Sequence, residues 1–123
     1  MDQENKNTSN SQGSDGALKH WLHQRFSAVF LVLFTYWIFS FSMALSHAES
    51  NAIIAIVKAP VNLIMLLLFV VISFYHASLG MQVVIEDYVH HNSLKLFALF
   101  AVHIFTAMTV MAFIIALIYL INS

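Results

Sequence analysis

Cysteine is absent from the 123 residues. With it go disulfides, cysteine-ligated iron–sulfur clusters, thiolate zinc sites and any cysteine nucleophile on this chain. Redox chemistry here therefore needs a borrowed cofactor. Charge is scarce too: Asp, Glu, Lys and Arg make up 9% of the residues, for a formal net charge of -1 at pH 7. The five cations are scattered, so the basic field that a nucleic-acid partner requires is missing. Three glycines and one proline rule out collagen-like and proline-rich chains. What fills the sequence instead is apolar. Hydrophobic residues account for 60% of it, far from the usage of soluble domains.

Residues 1–17 stand apart, rich in Asn, Ser, Gln and Gly with no apolar period, and their composition predicts a disordered polar tail. Asp2, Glu4 and Asp15 with no Arg do not make a mitochondrial transit peptide, and no early apolar stretch followed by a small-residue cleavage site marks a secretory signal. Residues 18–123 then hold three stretches free of Asp, Glu, Lys and Arg: Phe26 to Leu45, Ala59 to Ile85 and Leu96 to Ile121. Each reaches the ~20 residues a helix needs to cross a hydrocarbon core of ~30 Å. The chain thus reads as an all-α integral membrane protein with three transmembrane helices, at about 22–45, 59–88 and 93–121. Pro60 suits the first turn of the second helix, where its missing amide costs nothing, and Asn92 or Ser93 can cap the third. Ala52 to Val57 is apolar but too short to span, and is expected at the outer interface. Lys6, Lys19, Arg25 and Lys95 fall on one side against Lys58 on the other, which predicts a cytoplasmic N-terminus and an outer C-terminus.

Polar groups are expensive in hydrocarbon, so His76, Gln82 and His103 within the spans, and Glu86, Asp87 and Tyr88 at the end of the second, are the informative positions. Asp87 lies 11 residues after His76, which on a helix is three turns plus about 20° and a rise of roughly 16.5 Å. Both share one face, His76 near mid-membrane and Asp87 near the cytoplasmic surface. Ser73, Ala77 and Gly80 form a small-residue flank that lets something flat, or another helix, come close. A neutral imidazole with a glycine one turn away has what axial ligation of a haem requires. Interhelical hydrogen bonding by His76, with no cofactor, is the competing reading. Arg25, placed by this reading at the same membrane face as Asp87 and Tyr88, is either a positive-inside anchor or a partner for an anionic group such as a haem propionate. Tyr88 is either an aromatic-belt residue or a phenol that donates a hydrogen bond to a quinone carbonyl while Asp87 relays protons.

The run His76-Ala77-Ser78-Leu79-Gly80-Met81-Gln82-Val83-Val84-Ile85-Glu86-Asp87-Tyr88-Val89-His90 resembles the second-helix signature of the hydrophobic membrane-anchor (D) subunits of succinate dehydrogenase, respiratory complex II, in alphaproteobacteria and related organisms. Length, polar N-terminal segment, three spans and a basic residue leading the first extend the resemblance over nearly the whole chain. It implies that His76 is an axial ligand to a haem b shared with a second anchor, the larger cytochrome b556-type C subunit. It implies further that Tyr88 hydrogen-bonds ubiquinone with Asp87 beside it, and that Arg25 lies near the haem propionates. Flavoprotein and iron–sulfur partner subunits, and a bacterial inner (cytoplasmic) membrane, follow from the same resemblance. The function expected is that of a non-catalytic-centre subunit of succinate:quinone oxidoreductase, an enzyme of the tricarboxylic acid cycle and the respiratory chain.

Two alternatives stay open at this point. One is a cofactor-free structural or assembly protein. The other is a small self-contained b-type cytochrome using His76 and His103, because His103, nine residues into the third helix, reaches a depth close to that of His76. Met81, Met108 and Met111 read as packing residues. His20, His23, His90 and His91 carry no assignment from the sequence.

Overall fold

The computed structural model describes residues 2–123, with side chains from Gly13 onward. Four helices follow in order: α1 (Asp2–Ser46), α2 (Ser50–Lys58), α3 (Pro60–Tyr88) and α4 (Asn92–Asn122). Three of them, Gly13–Ser46 within α1 and the whole of α3 and α4, are long and apolar enough to cross a membrane. In hydrocarbon a helix satisfies every backbone amide internally, and these uncharged runs accordingly form unbroken rods.

The composition of residues 1–17 predicts a disordered tail, whereas the backbone is helical from Asp2 and continuous with α1. Once the span supplies a nucleus, each added residue gains a hydrogen bond without a second nucleation cost, so a polar segment can continue the rod. The apolar patch at Ala52 to Val57 lies in α2, a short helix ending in Lys58. Ala59 then takes an extended conformation (φ -56°, ψ 128°), as the residue before a proline is pushed to do, and Pro60 opens α3. Asn62 ties this corner by donating from Nδ2 to the Ile56 carbonyl at 2.7 Å. The capping expected from Asn92 or Ser93 is absent: Asn92 is already helical, extended His91 is the cap residue, and no side chain bonds the first turn. The Lys95 amide instead reaches the His91 carbonyl at 2.9 Å.

α3 is the shared partner, packing against α1, α2 and α4. The α1–α3 seam is antiparallel and sets Ser27 of α1 against His76 of α3. The buried side chains are Ser27, Phe34 and Phe41 on α1 and Ser78, Leu79 and Ile85 on α3, of which Ser78 lines the groove toward α4. Aromatic contacts extend it outward. Phe34 meets Phe69 at 6.3 Å between centroids, and Trp37 stacks on Phe41 at 5.1 Å. No residue of α4 is buried, and large apolar side chains face outward on all three rods, as suits helices whose surroundings are lipid or other membrane helices.

Candidate functional site

The antiparallel register of α1 and α3 decides which polar residues meet. Gly16, Ala17 and His20 share a recess with Gln82 and Glu86. Further in, Gln24 approaches Gly80, and a β-carbon built on that glycine would meet Gln24 Nε2 at 4.0 Å. Deeper again, Ser27 Oγ lies 2.8 Å from His76 Nδ1. The interhelical bond expected of a packing histidine is therefore present. It occupies one ring nitrogen only. His76 Nε2 has no hydrogen-bond partner among the described residues, while the ring lines an open cleft of about 440 Å³ with Trp21, Gln24, Arg25, Ala28 and Val29.

Arg25 thus lines one cleft with His76, deeper along α1 than the start of the first helix at which the sequence placed it. Because α1 extends well below Arg25, the α1 residue near Glu86 is Gly16, nine positions and roughly 13.5 Å nearer the end of the rod. The guanidinium lies over the Trp21 ring, 4.5 Å from its centroid. Such a cation–π contact holds the charge in place while leaving its N–H groups available. Among the described residues no carboxylate pairs with it. A neutral nitrogen donor and an unpaired cation therefore converge on one cleft, a donor set that fits a haem with its propionates. The cleft is open on one side, and among the described residues His76 is the one histidine that lines it.

Asp87 and Tyr88 are not brought into that cleft. Both are exposed at the last turn of α3, and Tyr88 retains 78% of its surface. Glu86 accepts a hydrogen bond from Gln82 Nε2 at 2.9 Å, which draws that carboxylate back along α3. Asp87 has no partner among the described residues.

The other histidines separate clearly. His103 is exposed on α4 and donates from Nδ1 to the Leu99 carbonyl of its own helix at 2.7 Å. It lines neither the His76 cleft nor the apolar groove between α3 and α4. His23 turns to the other flank of α1, with its Nδ1 3.0 Å from the Tyr75 hydroxyl. His90 donates from Nδ1 to the Tyr88 carbonyl at 3.1 Å. His20 Nε2 is buried and has no hydrogen-bond partner among the described residues. No group of three or more His, Asp or Glu side chains gathers as a metal site among the described residues. That is no objection to a haem, whose porphyrin supplies four of the iron ligands.

A family described as the succinate dehydrogenase/fumarate reductase transmembrane subunit matches residues 5–116. The chain belongs to this family. Its relatives include proteins named succinate dehydrogenase hydrophobic membrane anchor subunit in three Rickettsia species. The Rickettsia bellii protein is 45% identical over 114 residues, covering 93% of this chain and 89% of that protein. The Rickettsia typhi protein is 40% identical, covering 93% and 90%, and the Rickettsia prowazekii protein 37% identical, covering 89% and 88%. No solved structure matches the chain.

Within this transmembrane subunit, the residues that sequence reasoning missed are Ser27 and Gln24, and Trp21 was left without a role. Ser27 carries no signal of its own, because serines in membrane helices commonly bond their own backbone. Trp21 and Arg25 do carry one: a spacing of four on a helix places an aromatic ring beneath a cation.

Proposed function

We propose that this chain is a membrane-anchor subunit of a succinate:quinone oxidoreductase that holds one side of a haem b and forms one wall of a quinone site. The observation carrying the reading is that His76 and Arg25 line one open cleft with an imidazole nitrogen unbonded. His76 offers a neutral donor atom at membrane depth, where an ionised ligand would be costly. Arg25, steadied by Trp21, neutralises a carboxylate of the propionate kind. Bound there, haem b supplies a one-electron centre within the membrane, and the chain contributes position and charge.

At the end of α3, Tyr88 presents a phenol that donates a hydrogen bond to a quinone carbonyl. Asp87 beside it takes protons from water and passes them on. The spread of Lys6, Lys19, Arg25 and Lys95 against Lys58 supports a cytoplasmic N-terminus in a bacterial inner membrane, with flavoprotein and iron–sulfur subunits docked on that side. A second anchor subunit would close the cleft and supply the remaining protein ligand to the iron.

A cofactor-free structural anchor is the second reading, favoured by the Ser27–His76 bond, which is the interhelical tie that role needs. The visible spectrum of the assembled complex separates the two. His76→Leu should abolish or shift the low-spin b-type band, and a complex that lacks this band before mutation supports the structural anchor. Tyr88→Phe should lower quinone reduction ten- to hundred-fold while succinate oxidation by a soluble artificial acceptor stays within twofold. Equal loss of both activities removes the quinone assignment.

A further inference from the structure

Ser27 makes two short contacts, and the number of protons it owns decides what His76 can do. Its Oγ lies 2.9 Å from the Gln24 carbonyl and 2.8 Å from His76 Nδ1. A carbonyl can only accept, so the single hydroxyl proton goes to Gln24. The contact with His76 then has a proton only if the ring supplies it, as Nδ1–H donating to Oγ. In the neutral imidazole one nitrogen carries the hydrogen and the other the lone pair. Nε2 is thereby left as the free donor atom on a ring that lines the cleft. The opposite tautomer would leave Ser27 and Gln24 oxygens facing each other at 2.9 Å with no proton between them. Ser27 is 6% exposed, so solvent has little access to replace its contact.

We propose that Ser27 is a positioning residue that fixes the His76 tautomer and ring angle so that Nε2 meets the haem iron as a lone pair, and that it raises the donor strength of that nitrogen. The inference rests on the haem-ligand reading of His76. A ligating imidazole whose other N–H is held by an acceptor becomes more basic, and loss of such a partner commonly costs 10–100-fold in metal affinity. Stronger donation favours ferric over ferrous iron. Removing the acceptor should therefore shift the couple toward the reduced form.

The test uses the assembled, membrane-extracted complex carrying Ser27→Ala, Ser27→Thr or His76→Leu, with haem content and a redox titration of the b-type band as readouts. Ser27→Ala should raise the ferrous-to-ferric ratio three- to tenfold at fixed ambient potential, the upper limit being a shift of about 59 mV for one electron. It should also lower haem retention on dilution. Ser27→Thr, which keeps the hydroxyl, should return both to the unmodified values. An unchanged titration and haem content in Ser27→Ala overturn the proposal, as does a Thr variant that behaves like Ala, because packing alone then explains the loss. If Ser27→Ala does not accumulate, Ser27→Cys, close in shape but a weak acceptor, carries the same comparison against Thr. An unaltered band in His76→Leu refutes the ligand reading itself, and the role of Ser27 falls with it.

Discussion

Ala28 offers a way to close the His76 cleft without touching a ligand. It lines the cleft beside Val29 and Arg25, one residue beyond Ser27, and leucine there adds three carbons that point into open space. The cleft is open in the chain by itself, so insertion and abundance should stay within twofold. A flat group filling the cleft would meet those carbons. Overpacking by a few methylene groups costs about 1–3 kcal/mol, which converts to a roughly 5- to 150-fold loss of occupancy. Ala77→Leu is the matched control: the same substitution, on the exposed wall of the apolar groove between α3 and α4. The assay is haem per flavin in the purified complex, with anchor abundance followed by immunoblot. Full haem content in Ala28→Leu, or an equal loss in Ala77→Leu, refutes the placement of the macrocycle against α1.

Gly80→Ala should be tolerated in accumulation and activity within twofold, since the added carbon meets only the mobile end of Gln24 at 4.0 Å and alanine is the better helix former. A collapse of anchor abundance on immunoblot counts against the α1–α3 register. His103→Ala should leave the haem spectrum unchanged, because the ring bonds its own helix and does not reach the His76 cleft. Loss of the band revives the self-contained cytochrome.

The spans were legible because a run free of charge and longer than the bilayer core has few other uses, and Pro60 marks where the second begins. His76 stood out because an ionisable group inside such a run is costly, and helical spacing then tied it to the face of Asp87. The depth of Arg25 was not legible. It required knowing that α1 continues as helix through Gly13 and Gly16, residues whose composition argues for a tail. Ser27 was hidden for a related reason. A membrane helix is apolar all round, so its periodicity does not reveal which side faces a neighbour. Only the register and rotation of α1 against α3 set Ser27 against the imidazole. Asn92 shows the converse: a residue with the right chemistry for a cap became the first helical residue, because the short Val89–His91 link to α3 had already supplied the turn.

Between Pro60 and Tyr88 the second span has no break, so the imidazole and the phenol ride on one rigid ruler. Their spacing of 12 residues fixes both a separation of about 18 Å and a relative angle. Neither end can be tuned alone. Inserting one residue between them would swing the phenol through ~100° against the imidazole, whereas inserting four would lengthen the ruler by ~6 Å and restore its bearing to within ~40°. Evolution of the two ends is thereby geared together, and drift in this segment is expected by substitution and not by insertion or deletion.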